Sequence, residues 1–183
     1  IPLSEVKKGI NYAILITTNA GLWRYLIGDT VKFTSTNPYR IKITGRTKHH
    51  INVFGEELII ENAERAFSKA CEETEAVIKE YTGAPHFFNN NGTGNHQWLV
   101  EFEQEPKNIE YFSTILDAEL KRLNSDYEAK RFNNMVLDHP EIHQLKTGTF
   151  YNWMKQNNKL GGQHKIPRLS NNRKYVEELL KMV

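Results

Sequence analysis

The chain has 183 residues, 39% of them hydrophobic and 25% charged, with a formal net charge of +2. That length allows one good core, or one domain plus part of another, and the composition is that of an ordinary globular protein. So small a charge gives no electrostatic ground for a nucleic-acid or acidic-membrane partner, and no apolar run approaches the roughly eighteen residues that would span a bilayer.

The start, Ile1-Pro2-Leu3-Ser4-Glu5, shows neither the basic nor the apolar region of a signal peptide. The single cysteine, Cys71, allows no internal disulfide and fits a reducing compartment. These features together lead to an expected cytoplasmic location. Because the chain opens on Ile1 and runs almost at once into a strand-like segment, a fragment of a longer protein is at least as good an expectation as a processed terminus.

The first third reads as β. "YAILITT" (12–18) is a short apolar run bounded by Asn11 and the Asn19-Ala20-Gly21 turn. "LWRYL", "TVKFTS" and "YRIKITG" follow, separated by Gly28-Asp29 and by Thr36-Asn37-Pro38. Val31 and Phe33 alternate with Lys32 and Thr34, as Ile41 and Ile43 do with Arg40 and Lys42, which predicts one face on a core and the other in water. Consecutive short strands of this kind predict an antiparallel meander.

From about residue 49 the pattern is mixed. "HHINVFG" is a strand candidate ending at Gly55, and Ala63, Ala66, Phe67, Ala70 and Cys71 fall at helical spacing, predicting a helix over 60–73. Strands are expected at "EAVIKEYTG" and "HQWLVEFE", the second with Trp98, Val100 and Phe102 on one face and Leu99, Glu101 and Glu103 on the other. A long helix carries Phe112, Ile115, Leu116, Leu120 and Leu123; "MVLDHPEIHQL" reads as extended. "TFYNWMKQ" and "NNRKYVEELLKM" are the last helices, the second capped by Ser170 or Asn171. The expected class is α+β: residues 1–47 end a β-rich large domain, and 48–183 form a small unit of mixed sheet and helices.

Seven histidines raise the question of a metal. His49 and His50 would point to opposite faces of a strand, and Pro140 argues against a helix carrying His139 and His143; with no Cys pair or acidic cluster, no metal site is expected. "NNNGTGN" (89–95) precedes a strand instead of opening a helix, so its Gly-x-Gly reads as a hairpin loop and not a phosphate cradle. Cys71 reads as core packing. The stretch "NNKLGGQHKIPRLSNNRK" holds Lys165 between a pair of glycines and the stiff Ile166-Pro167. On composition alone it is a solvated basic loop, and it lacks the recognition fold of a nucleic-acid binder.

Gly28-Asp29 taken alone is a hairpin turn. Its company changes that, because Gly45-Arg46 ends a following strand and Lys48 sits where the β part gives way to the mixed part. A carboxylate and a guanidinium at neighbouring strand ends suit a polyhydroxyl or nucleotide ligand: the first accepts from vicinal hydroxyls, the second donates through a planar fork.

The order Tyr25-x-x-Gly28-Asp29, Gly45-Arg46-x-Lys48, Ile51-x-x-x-Gly55 and Lys165 resembles that of acyl-adenylate-forming enzymes related to firefly luciferase and the acyl-CoA ligases. "GLWRYLIGD", "LNSDYEAKR" and "QHKIPR" resemble most closely the auxin-responsive acyl-acid amido synthetase family and its bacterial relatives, and the likeness extends over only the C-terminal third of such an enzyme. The resemblance implies that Asp29, Arg46 and Tyr25 bind nucleotide, with Asp29 on the ribose hydroxyls. It also implies that Lys48 is the hinge of a mobile C-terminal domain, that the Gly55 loop serves the second half-reaction, and that Lys165 is the adenylation lysine. ATP and Mg²⁺ are implied as cofactors, and a small carboxylic acid and an amino acid as substrates held through a missing large domain. Leu26 departs from the arginine that many relatives carry there. An acyl-CoA ligase, which differs in the final acceptor, and a non-catalytic binding module that has kept the ancestral fold are the alternatives.

Overall fold

The computed structural model describes residues 1–47, 50–88, 92–161 and 165–183, with Arg46 described by its backbone alone. A short 3-10 turn (Leu3–Glu5) precedes three antiparallel strands, β1 (Asn11–Ile16), β2 (Tyr25–Thr36) and β3 (Tyr39–Arg46), with β2 in the middle. The meander is as expected, but Gly28-Asp29 is not a turn. The end of the strand expected at 22–26 and the whole of that expected at 30–35 belong to one long β2, which starts at Tyr25 and inside which Gly28 takes φ +85°. Pairing with β1 jumps from Ala13↔Thr30 to Leu15↔Leu26, so β2 carries extra residues there and bulges. A hairpin turn and a bulge both use glycine at positive φ, and only the partner strands tell them apart.

The two faces of this sheet also differ from the simple pattern. Cross-strand partners share a face, so Val31↔Ile43 and Phe33↔Ile41 form one apolar surface. Val31 and Phe33 are buried beside the N-terminal segment, yet Ile41 and Ile43 are 52% and 65% exposed. The polar face, expected in water, instead meets the first turn of helix α1 (Ile60–Thr74), where Glu61 takes Lys32 and Lys42 at 3.5 Å each.

Of the strand expected over 49–55, His50–Ile51 (β4) is paired among the described residues, with β5 (Leu58–Ile59), and the chain turns back between them. Beyond α1, β6 (Val77–Phe87) and β7 (Gly94–Gln104) form a long antiparallel hairpin. Its connection includes part of "NNNGTGN", of which 89–91 lie outside the described residues. Helices α2 (Ile109–Leu123) and α3 (Ser125–Arg131) cross over to β8 (Glu141–Leu145), which lies parallel to β7. A parallel pair needs such a crossover. The chain ends with α4 (Thr149–Gln156) and α5 (Lys174–Leu180). The fold is α+β, a mixed sheet packed with helices.

Both faces of β7 are buried. Trp98, Val100 and Phe102 join Phe67 of α1 and Phe112, Leu116 and Leu120 of α2 in the main core. Leu99, on the opposite face, joins Phe150 and Trp153 of α4 and Val176 and Leu179 of α5. Trp98 lies over its cross-strand partner Gly83, where even a methyl group would come within 2.5 Å of the indole. Cys71 packs at the edge of the main core, and burial pushes its thiol up.

The helical part departs from the sequence pattern in two places. The helix α3 leaves no periodic signal, since seven residues are too few to show a period. It is held by caps and a buried network: Asp117 accepts from Tyr127 Oη at 2.8 Å and from Arg131 Nε and Nη2 at 2.8 and 2.9 Å, with Lys121 at 2.6 Å. Neither Ser170 nor Asn171 caps α5, which begins after Arg173 without a side-chain cap. Asn171 is committed elsewhere, its Oδ1 accepting from Asn52 N at 2.8 Å.

Burial alone would raise the Asp117 carboxyl, but hydrogen bonds from Arg131, Lys121 and Tyr127 outweigh it and bring the pKa from 3.8 to about 2. A carboxyl lowered on folding stabilises fully above its ordinary pKa and loses that contribution as pH falls through the folded value. The stability gap between wild type and Asp117→Asn in urea unfolding is therefore expected to hold above pH about 4 and to shrink towards about 2. Arg131→Ala, which takes two hydrogen bonds from a buried carboxylate and leaves it to Lys121 and Tyr127, is expected to cost about 3 kcal/mol. For Gly28→Ala the expected loss is about 1 kcal/mol. It arises from φ alone, because the nearest atom to the new methyl, Thr47 Oγ1, is at an ordinary 3.7 Å.

Candidate functional site

The bulge in β2 brings Asp29 opposite Arg46 as cross-strand partners. Sequence spacing put both at neighbouring strand ends; the ladder makes them direct neighbours in the backbone. Asp29 is half-buried, and the Gly28 carbonyl beside it accepts from Thr47 N at 2.8 Å and from Thr47 Oγ1 at 3.3 Å. The kink is thus tied down on its β3 side. Tyr25 lies on the same strand beyond the bulge, opposite Ile16, and is exposed together with Trp23 and Leu26.

One step along the ladder, Thr30 faces Gly45. A methyl group on Gly45 would lie 3.8 Å from Ile60 Cβ. Ile60 opens α1, and it also lines a cavity of about 600 Å³ shared by Lys165, Lys79, Glu101, Phe150 and Met154. The strand segment next to Arg46 therefore approaches, at Gly45, a side chain that lines the Lys165 cavity.

Lys165 is exposed at the head of a segment bound to the edge of β6. Thr82 Oγ1 donates to the Pro167 carbonyl at 2.7 Å, Gly83 N to the Arg168 carbonyl at 2.9 Å, and Ser170 N to the Gly83 carbonyl at 3.0 Å. Arg168 stacks 4.4 Å from the Tyr81 ring centroid and pairs with Glu80 at 2.9 Å. "QHKIPR", which composition alone made a solvated loop, is bound to β6 from Pro167 onward, with Lys165 exposed just before it; 162–164 lie outside the described residues.

The cavity wall contains a group that the sequence reading placed only by face. Glu101 is buried in β7, yet its carboxylate accepts from Gly148 N at 2.7 Å and Phe150 N at 3.2 Å and pairs with Lys79 at 3.2 Å. It thus receives the start of α4, where free N–H groups and the helix dipole favour negative charge. A glutamate between the apolar Val100 and Phe102 was the available signal.

Gly55 lies elsewhere, in the loop between β4 and β5, exposed and at φ +83°. A methyl group there would come within 3.2 Å of Lys130 Cε. Its neighbour Glu56 is fully buried, accepting from Phe54 N at 2.8 Å and from His96 Nε2 at 2.8 Å. Burial raises that carboxyl, and the hydrogen bond and charge of His96 bring it below the usual value. Asn124, which caps α3 through its oxygen, donates from its amide nitrogen to the Glu56 carbonyl at 2.8 Å. None of Glu56, His96 and Asn124 stood out in the sequence, because their partners are far along the chain.

Lys48 lies outside the described residues. Among the described residues no group of three or more His, Cys, Asp or Glu is arranged to hold a metal ion. His139 faces Ser113, and His143 faces Glu141. No helix among them is long and apolar enough to cross a membrane.

Comparison with known proteins gives this arrangement a context. The GH3 family C-terminal domain matches residues 61–174, and the GH3 family central domain matches residues 1–46. The chain is 26% identical over 181 residues to the indole-3-acetic acid-amido synthetase GH3.10 of Arabidopsis thaliana, covering 94% of this chain and 30% of that protein. In fold it resembles the GH3.15 acyl acid amido synthetase, with a TM-score of 0.76 at 22% identity, over 99% of this chain and 35% of that one. A more distant likeness is to a 2-hydroxyisobutyryl-CoA ligase in the postadenylation state, with a TM-score of 0.50 at 15% identity, over 97% of this chain and 35% of that one. The chain thus spans about a third of the length of the proteins it matches. With the C-terminal domain pattern running over most of its mixed sheet and helices, the chain belongs to the GH3 family.

Proposed function

We propose that this chain is the C-terminal part of an ATP-dependent ligase that converts a carboxylic acid to its acyl-adenylate and passes the acyl group to the amine of an amino acid. The observation that carries the reading is the convergence at Ile60. Gly45, next to Arg46 in β3, approaches the Ile60 side chain that lines the cavity of Lys165, so a nucleotide held at the Asp29–Arg46 pair lies within the neighbourhood of that cavity. Family membership and the names of the matched amido synthetases support the same chemistry.

In this reading Asp29 accepts from the ribose hydroxyls, Arg46 assists at ribose or phosphate, and Tyr25 borders the nucleotide. The acid's carboxylate oxygen attacks the α-phosphorus and pyrophosphate departs. Lys165 places its ammonium between the two anions, where a preorganised cation is worth about 3 kcal/mol. The amine nitrogen then attacks the acyl carbon, AMP leaves and the nitrogen loses a proton, giving the amide. Mg²⁺ would travel with the triphosphate and offset its charge.

The division at 47/48, with Lys48 as hinge, belongs to the same proposal: rotation there exchanges Lys165 for the Gly55 loop between the two steps. The exposed apolar face at Ile41 and Ile43, with Trp23 and Leu26 near Tyr25, is where the rest of a large domain would pack.

The full-length protein containing this chain is expected to exchange pyrophosphate into ATP only when a carboxylic acid is present. Lys165→Ala is expected to lower that exchange by about a hundredfold or more; normal exchange in this variant removes Lys165 from the reaction. Asp29→Ala is expected to raise the KM for ATP by about tenfold, and an unchanged KM would return Asp29 to a purely structural place in the bulge. Offering amino acids and coenzyme A in parallel decides the acceptor, and no exchange with any acid leaves a binding module.

A further inference from the structure

Residues 52–57 form a short loop that is open to solvent at Val53 and Gly55 yet buried at Phe54 and Glu56. Both Glu56 carboxylate oxygens are committed: Oε2 to the Phe54 N–H and Oε1 to His96 Nε2, each at 2.8 Å. An ionised carboxylate only accepts, so His96 Nε2 carries the hydrogen. The imidazole is itself held between the Phe54 ring at 6.3 Å and the Tyr127 ring at 5.5 Å. From the opposite side the Asn124 amide donates to the Glu56 and Glu57 carbonyls at 2.8 and 3.3 Å, and Asn52 Oδ1 accepts from Glu57 N at 3.1 Å.

A buried carboxylate–imidazole pair is an expensive way to fill space, since apolar side chains of the same volume usually stabilise a fold as well or better. What the polar pair supplies is direction. It fixes the backbone on either side of Gly55 to β7, and Asn124 fixes it to the α2–α3 junction. We propose that the Glu56–His96 pair and the Asn124 amide are the positioning device that presents the Gly55 loop for the amide-forming step. This rests on the reading of the chain as part of an acyl-adenylate-forming amido synthetase. The three side chains touch no substrate; they act through the loop. Their removal therefore affects the second half-reaction, in which the loop enters the site, and spares the first, in which Lys165 acts.

The test measures both half-reactions in the full-length protein: acid-dependent ATP–pyrophosphate exchange, and amide formation from acid, ATP and amino acid. Glu56→Ala is expected to lower amide formation by about tenfold or more while exchange stays within about threefold, because misplacement of a reacting loop by an ångström costs up to about a hundredfold. Glu56→Gln keeps an oxygen for Phe54 N–H, and its amide nitrogen donates to His96 Nε2 once the ring proton moves to Nδ1, so it is expected to restore part of the amide rate. Asn124→Ser keeps an oxygen to cap α3 but loses the donors to the loop; it is expected to repeat the selective loss without disturbing the core. Equal loss of both half-reactions in Glu56→Ala and Asn124→Ser, or full amide formation in both, overturns the proposal, as does a Gln variant no better than Ala. A wild-type protein that performs neither half-reaction overturns instead the functional reading on which it stands.

Discussion

Strand β7 is covered on both faces, and the arrangement of the C-terminal unit follows from that double burial. One face needs aromatic and aliphatic partners for Trp98, Val100 and Phe102, which α1 and α2 supply; the other needs partners for Leu99, which α4 and α5 supply. Because β8 is parallel to β7, α2 and α3 must make the crossover between them, and that crossover brings Asn124 and Tyr127 beside the β4–β5 loop. The bare backbone of Gly83 under Trp98 is what lets the indole lie flat enough for the main core to close.

Polar groups inside this core do positional work. Glu101 points from β7 to the start of α4, and so fixes one wall of the Lys165 cavity. Glu56 reaches in from the β4–β5 loop to His96 on the same strand. Asp117 ties α2 to α3 through Arg131 and Tyr127, and Arg131 passes the connection on to the Leu137 carbonyl at 2.9 Å. Each buried charge has several partners, as it must in a low-dielectric interior. The apolar layers set the distances between elements; the charged groups set which loop end faces where.

The three-stranded sheet behaves differently. Its polar face is joined to α1 by ion pairs on Glu61, whose partners Lys32 and Lys42 are partly solvent-exposed. Such pairs contribute little stability. Its apolar face is only half covered by the chain's own first residues. This sheet therefore contributes less to the core than to geometry, bringing Gly45, next to Arg46, up to Ile60.

Where the signal is local, the sequence already specified this protein well. Period-two and helical patterns located β3, β7, α1, α2 and α4 closely, because burial acts on side chains at fixed spacing. The order of Asp29, Arg46, Gly55 and Lys165 was likewise visible in the chain and led to the family. Local pattern failed where a distant partner decides the outcome. Gly28-Asp29 reads as a turn until β1 and β3 are set beside it, and α3 has no period but has Asp117. Asn171 reads as a helix cap until Asn52 takes it, and the Lys165 segment reads as solvated until β6 bonds it. Hydrogen bonds across 40 to 119 residues, such as His96 to Glu56 and Asn52 to Asn171, leave no periodic trace. Residue types and their order were decided by the sequence alone; which of them meet was decided only when both faces of β7 were buried.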